Sequence, residues 1–196
     1  MNRFVKTALL ASAIVAAATL TQGCATNIKA SASSNPAPAE AFKSFGRIEV
    51  KPAVLKAGVN GNANAVTKIS QNLQADLKGS LPDWNKGKGN GRTLIVEPVV
   101  EEMSFKSGAK RVFLGPLAGS SGVLMRLNIR DDKGRMIASP EFFQRANAMA
   151  AGWALGVHDN LMLTRVATLA SNYMKANYDT AVGGPTGGDD PVMSPK

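Results

Sequence analysis

Apolar and polar side chains alternate along residues 123–130, with Val123, Met125, Leu127 and Ile129 on one face and Leu124, Arg126, Asn128 and Arg130 on the other. A period of two marks a strand with one buried face. Asp132-Lys133-Gly134 then supplies turn chemistry, and Met136 to Phe143 is the expected returning strand of a hairpin. Val66, Ile69, Leu73 and Leu77 instead recur at helical spacing, with Asn62 or Asn64 as candidate caps and Gly79 and Pro82 expected beyond the end. A second helix is predicted from Asp159 to about Tyr178, carrying Met162, Val166, Leu169 and Tyr173. Phe45 to Val50 and Thr93 to Phe105 read as strands, the latter with Pro98, whose missing N–H points to an edge strand or a bulge. Residues 84–92 read as an irregular basic loop, and 146–156 as small residues without periodicity. The order of elements predicts one α/β (α+β) domain over residues 42–179, a mixed, mainly antiparallel sheet with helices packed on one face.

The flanks lack such patterning. Residues 24–41 and 180–196 are rich in Ala, Ser, Pro and Gly. They carry too little large apolar surface to offset their ordering entropy, so a flexible tether and a disordered tail are expected. The first 23 residues place Arg3 and Lys6 before an apolar run from Ala8 to Leu20, the order of a secretory signal. That run is shorter than the ~20 residues a spanning helix needs. Directly after it stands Cys24, the only cysteine, which cannot form an internal disulfide and resembles the lipobox cysteine of bacterial lipoproteins. The resemblance implies cleavage before Cys24, a lipid on its sulfur and acylation of its new amino group. It also implies outer-membrane sorting facing the periplasm, since Ala25 rather than Asp follows.

Removing residues 1–23 takes away two cations and no acid, lowering the formal charge from +9 to +7. Outside the cytoplasm a basic protein meets anionic head groups, lipopolysaccharide phosphates and cell-wall carboxylates, whereas nucleic acid is not a normal partner there.

Catalytic patterns are weak. Ser120 and Ser121 lack the spacing of a nucleophile elbow, and the single histidine, His158, has only its neighbour Asp159 as orienting acid, which cannot reach the far ring nitrogen. Asp131 and Asp132 lack the remaining ligands of a calcium loop and suit a turn better. Glu97, Glu101 and Glu102 could place two carboxylates on one strand face, as glycoside cleavage requires, and sustain an alternative reading as a lipid-anchored cell-wall hydrolase. The Gly115 to Ser121 run lacks the Lys of a phosphate-binding loop. No cofactor or metal is expected. The most plausible anion- or partner-contacting groups are Lys86, Lys88, Arg92, Lys106, Lys110 and Arg111, which flank Gly-rich stretches.

The strand LIVEPVVEEM at 94–103, Gly108, Lys110-Arg111, Gly115, Gly119-Ser120-Ser121, the alternating strand, and Asp131 with Gly134 together resemble a family of small proteobacterial envelope lipoproteins built around a domain of unknown function. The resemblance covers a quarter to a third of the mature chain. It implies an α/β fold similar to the periplasmic domains of curli-type secretion channels and penicillin-binding-protein activators, and no catalytic residues. The function expected is that of a non-catalytic binding or assembly accessory in the cell envelope.

Overall fold

The computed structural model describes residues 28–86, 91–105, 121–146 and 157–189. In chain order its elements are β1 (Ser34–Asn35), a single 3-10 turn (Phe42–Ser44), β2 (Arg47–Val50), β3 (Val54–Leu55), α1 (Ala63–Leu77), α2 (Ser80–Trp84), β4 (Thr93–Ser104), β5 (Ser121–Asp131), β6 (Met136–Ala138), β7 (Glu141–Ala146), α3 (Val157–Asp179), β8 (Gly184–Pro185) and β9 (Gly187–Asp189). The main sheet runs β2-β4-β5-β7-β9, with β3 beside β4 and β6 beside β5. β2 and β3 pair with β4, and β9 with β7, in parallel; β4-β5, β5-β6 and β5-β7 are antiparallel. The α/β class and the packing of helices on one face are as expected.

The alternation in β5 decides which face is buried. Val123, Met125, Leu127 and Ile129 join Leu94, Val96, Val100 and Phe142 beneath Ile69, Leu73 and Leu77 of α1 and Met162, Val166 and Met174 of α3. The side chain of Asn62 starts α1, accepting from the backbone N–H groups of Asn64 at 2.9 Å and Ala65 at 3.4 Å. This satisfies donors that the first helical turn leaves without partners. In the hairpin turn Gly134 adopts φ +80°, a conformation glycine takes without strain, and its N–H donates to the Asp131 carbonyl at 2.9 Å.

Three expectations need correction, and one short helix was not foreseen. β4 is interior to the sheet, despite Pro98. The carbonyls of Val96 and Val100 accept from Lys51 N–H and Lys56 N–H, and strand alternation points the Pro98 nitrogen the same way. It faces residues 51–53, between β2 and β3, where no strand lies alongside. The proline therefore marks a break in the neighbouring strand. A bulge occurs three residues on, at Glu101.

α1 ends at Leu77 with Gly79 and Pro82 beyond it, as expected; the unforeseen element is the separate short helix Ser80–Trp84, with Pro82 in its first turn, where an N–H would have no intrahelical acceptor. Trp84 stacks on Tyr178 at 4.7 Å.

Residues 28–41 are part of the folded body. Ser34 and Asn35 pair with Pro185 and Gly184. The Asn35 side chain donates to the Glu141 carbonyl and accepts from its N–H, each at 2.8 Å. Tyr173 Oη donates to the Pro36 carbonyl at 3.0 Å, and burial pushes this phenol up to about 12.

Residues 180–189 are likewise held. The buried Asn177 side chain accepts from Val182 N–H and Gly183 N–H and donates to the carbonyls of Tyr173 and Gly183. β9 then lies on β7 so closely that at Gly187, φ +121°, any side chain would collide with the Phe143 carbonyl. Backbone pairing and amide side chains hold both flanks, and a low content of large apolar residues does not prevent that.

Candidate binding surface

The sheet face turned away from the helices carries the even positions of β5 and, by register, Ile95, Glu97 and Val99 of β4 with Glu141, Phe143 and Arg145 of β7. Val100 opposes Met125 and Glu102 opposes Leu124, so Glu101 is the extra residue of the bulge. Its side chain reaches Arg126 on this same face. All three glutamates weighed for catalysis therefore share one face. Glu97 and Glu102 are exposed. Glu101 accepts from Arg126 Nε at 2.9 Å and Nη2 at 3.1 Å, with Lys56 Nζ 3.8 Å away.

Arg126 also donates to Glu141 and, through Nη1, to Ser139 Oγ at 3.3 Å. Glu141 in turn accepts from Ser31 N–H at 2.6 Å and Ser31 Oγ–H at 2.7 Å. Burial opposes the charge of Glu141 most strongly, but Ser31 and Arg126 together outweigh it and hold this carboxyl below its ordinary value. Above this network Ile28 and Ala30 close a small apolar cluster with Leu124, packed against Phe143. An open groove of about 410 Å³ lies alongside, lined by residues 29–33 with Phe143, Thr186 and Gly187.

At the opposite end of the sheet Arg92 forms a two-pronged pair with Glu40 at 2.8 and 2.9 Å, reaches Asp131 at 3.3 Å, and lies 4.3 Å over the Phe45 ring. Arg135 bonds the same two acids. The hydrogen bond from Arg92 is the main reason the Glu40 carboxyl is lowered, with Arg135 adding to it against burial. At Asp131 burial opposes the charge most, and the backbone N–H and guanidinium of Arg135, the Lys133 N–H and Arg92 outweigh it.

Groups lowered on folding contribute stability that is complete above their unfolded values, about 3.9 for Asp and 4.3 for Glu, and is lost as pH falls through the lowered folded values. The melting temperature should therefore be level above about pH 5 and fall below about pH 4. Asp131→Asn should lower it at neutral pH and make the acid limb shallower. Identical acid limbs in the variant and the wild type would show that this cluster does not couple to folding.

These positions revise the sequence-based site. Arg92 is a structural clamp, tied to acids 52 and 39 residues away, and is not a loop cation awaiting an anion. Lys86 is exposed and bonds Asp83 at 2.7 Å. Lys88, Lys106, Lys110, Arg111, Ser120 and Cys24 lie outside the described residues. Ser121 is fully buried at the start of β5. His158 and Asp159 fall in the first turn of α3. Asp131 and Asp132 belong to the hairpin turn region, and among the described residues no cluster of three or more His, Cys, Asp or Glu is placed to hold a metal ion. Sequence reasoning missed Arg126, Glu141, Ser31, Asn35 and Glu40; their partnerships depend on strand register and on the path of residues 28–41, which no local pattern announces.

No protein-family model matches this chain, and no curated protein matches it in sequence. Among solved structures it is similar to two of PelC dodecamers from Paraburkholderia phytofirmans, the first a single-substitution variant. Both are 15% identical to this chain, with TM-scores of 0.41 and 0.40, and the alignments cover 67% of this chain and 88% and 89% of the PelC chains.

Proposed function

We propose that this protein is a bacterial lipoprotein held on the outer membrane by a lipid on Cys24, facing the periplasm. In this reading it serves as a non-catalytic binding or assembly accessory, and it meets an envelope protein or anionic envelope polymer through the basic stretch of Lys106, Lys110 and Arg111. One juxtaposition carries the reading. Gly122 pairs with Ser104 and sits against Ile28. The chain leading back to Cys24 and the chain ends flanking Lys106, Lys110 and Arg111 thus attach to the same sheet end. A lipid and a basic stretch joined at one end suit a protein that works close to an anionic surface. Arg92 and Arg135, by contrast, are occupied with Glu40 and Asp131, and Arg126 with Glu101 and Glu141.

The test is binding of the lipid-free domain to lipopolysaccharide and to purified peptidoglycan at low and physiological salt. Exposed ion pairs are worth about 0.2–1 kcal/mol each, so replacing Lys110 and Arg111 together with Ala should weaken capture roughly 2- to 30-fold. The melting temperature should not move, and added salt should erase the difference. Normal capture by this double variant, combined with peptidoglycan cleavage that Glu97→Gln abolishes, would replace the binding module with a cell-wall hydrolase.

A further inference from the structure

We propose that the Gly122 end of the sheet rests directly against the head-group layer of the membrane, with no spacer between lipid and domain. The inference rests on the reading of Cys24 as the lipid-bearing residue. A tether over residues 24–41 would let the domain stand off by as much as roughly 60 Å, at about 3.5 Å per extended residue. The structure removes most of that length. Ile28 is 5% exposed and packed beside Gly122, where a glycine side chain of even one carbon would stand 3.2 Å from its Cβ. Ser31 is bonded twice to Glu141, and Asn35 is bonded to both backbone groups of the same residue. The chain is therefore fixed from Ile28 onward, and only four peptide steps separate it from Cys24. Fully extended they span about 14 Å, less than half the length of β5. This end also presents charge of the right sign in the exposed Lys29. Cations next to a membrane surface are drawn to its anionic head groups.

The experiment uses full-length lipidated protein in vesicles whose lipids carry a nitroxide quencher at the head group. Because lipid occupies the one native cysteine, Lys29→Cys and Lys133→Cys each present a unique thiol for a fluorophore. Positions 29 and 133 lie at opposite ends of β5, separated by roughly 30 Å. Strong quenching at 29 and little at 133 is the expected result. Protein that floats with the vesicles but is unquenched at both positions would overturn the inference, as would equal quenching at both. Protein that carries no lipid and fails to float would instead overturn the reading of Cys24, and the inference with it. Inserting twelve Gly/Ser residues after Ala25 gives a leash of about 20 Å r.m.s. and should abolish quenching at 29 while leaving flotation intact. Persistent quenching there would show that the short leash does not seat the domain.

Discussion

Cys24→Ala is expected to leave an unprocessed precursor that takes up no lipid label and is lost from the outer-membrane fraction. Each buried methylene contributes about 0.8 kcal/mol to membrane binding, and a single acyl chain gives only marginal attachment. In the proposed reading several chains on Cys24 would supply more attachment than exposed cations, whose ion pairs are worth about 0.2–1 kcal/mol each. No helix among the described residues is long and apolar enough to cross a membrane. Incorporation of labelled fatty acid by the variant, with retention in the same density-gradient fractions, would remove the anchor from Cys24. Wild-type protein found in inner-membrane fractions would overturn the sorting alone.

Phe142→Ala is expected to produce the largest loss of stability. Phe142 is fully buried on β7 beside Met125, and the Tyr173 ring meets it edge-on at 5.8 Å. The substitution removes a large apolar contact and leaves a cavity between sheet and α3, at a cost of about 3–5 kcal/mol out of a typical total of about 5–15. For a domain of this size about 2–4 °C is lost per kcal/mol, so the melting temperature should drop by roughly 6–20 °C. Leu169→Ala should cost less, because Leu169 is only partly buried while Val166 and Tyr173 on the same helix are fully packed. An unchanged thermal transition for Phe142→Ala would mean that the inner face of β7 is not core.

Where a strand or helix buries one face, the periodicity of the sequence disclosed it: β5, α1 with its Asn62 cap, and α3 were all legible. Structure carried by hydrogen bonds was not. Asn35 and Asn177 each satisfy both an amide and a carbonyl of distant or irregular backbone. Asn85 does the same for Ile48 at the outer edge of β2. An asparagine in a Ser- and Pro-rich stretch looks the same whether it is solvated or does this. Pro98 misled because the strand beside it is broken at that point, a property of residues 51–53 rather than of Pro98. In the site, the charge of Arg92 was visible but Glu40 and Asp131 were not, since pairing across 52 and 39 residues is set by topology. The shared face of Glu97 and Glu101 was open as a possibility, and the bulge decided it.

The pairing of Ser34 with Pro185 joins segments some 150 residues apart in sequence. Closing so long a loop is entropically costly and comes late in folding. In the proposed export the amino-terminal segment would emerge first, yet the strand that receives it is among the last parts of the described chain to appear. Until β8 arrives, Ser34 and Asn35 lack their strand partner, and residues 28–41 rely on contacts such as those of Ser31 and Asn35 with Glu141 and of Glu40 with Arg92 and Arg135. On the reading proposed above, full seating of the domain on its membrane is then a late event of folding, completed when the two flanks of the chain meet.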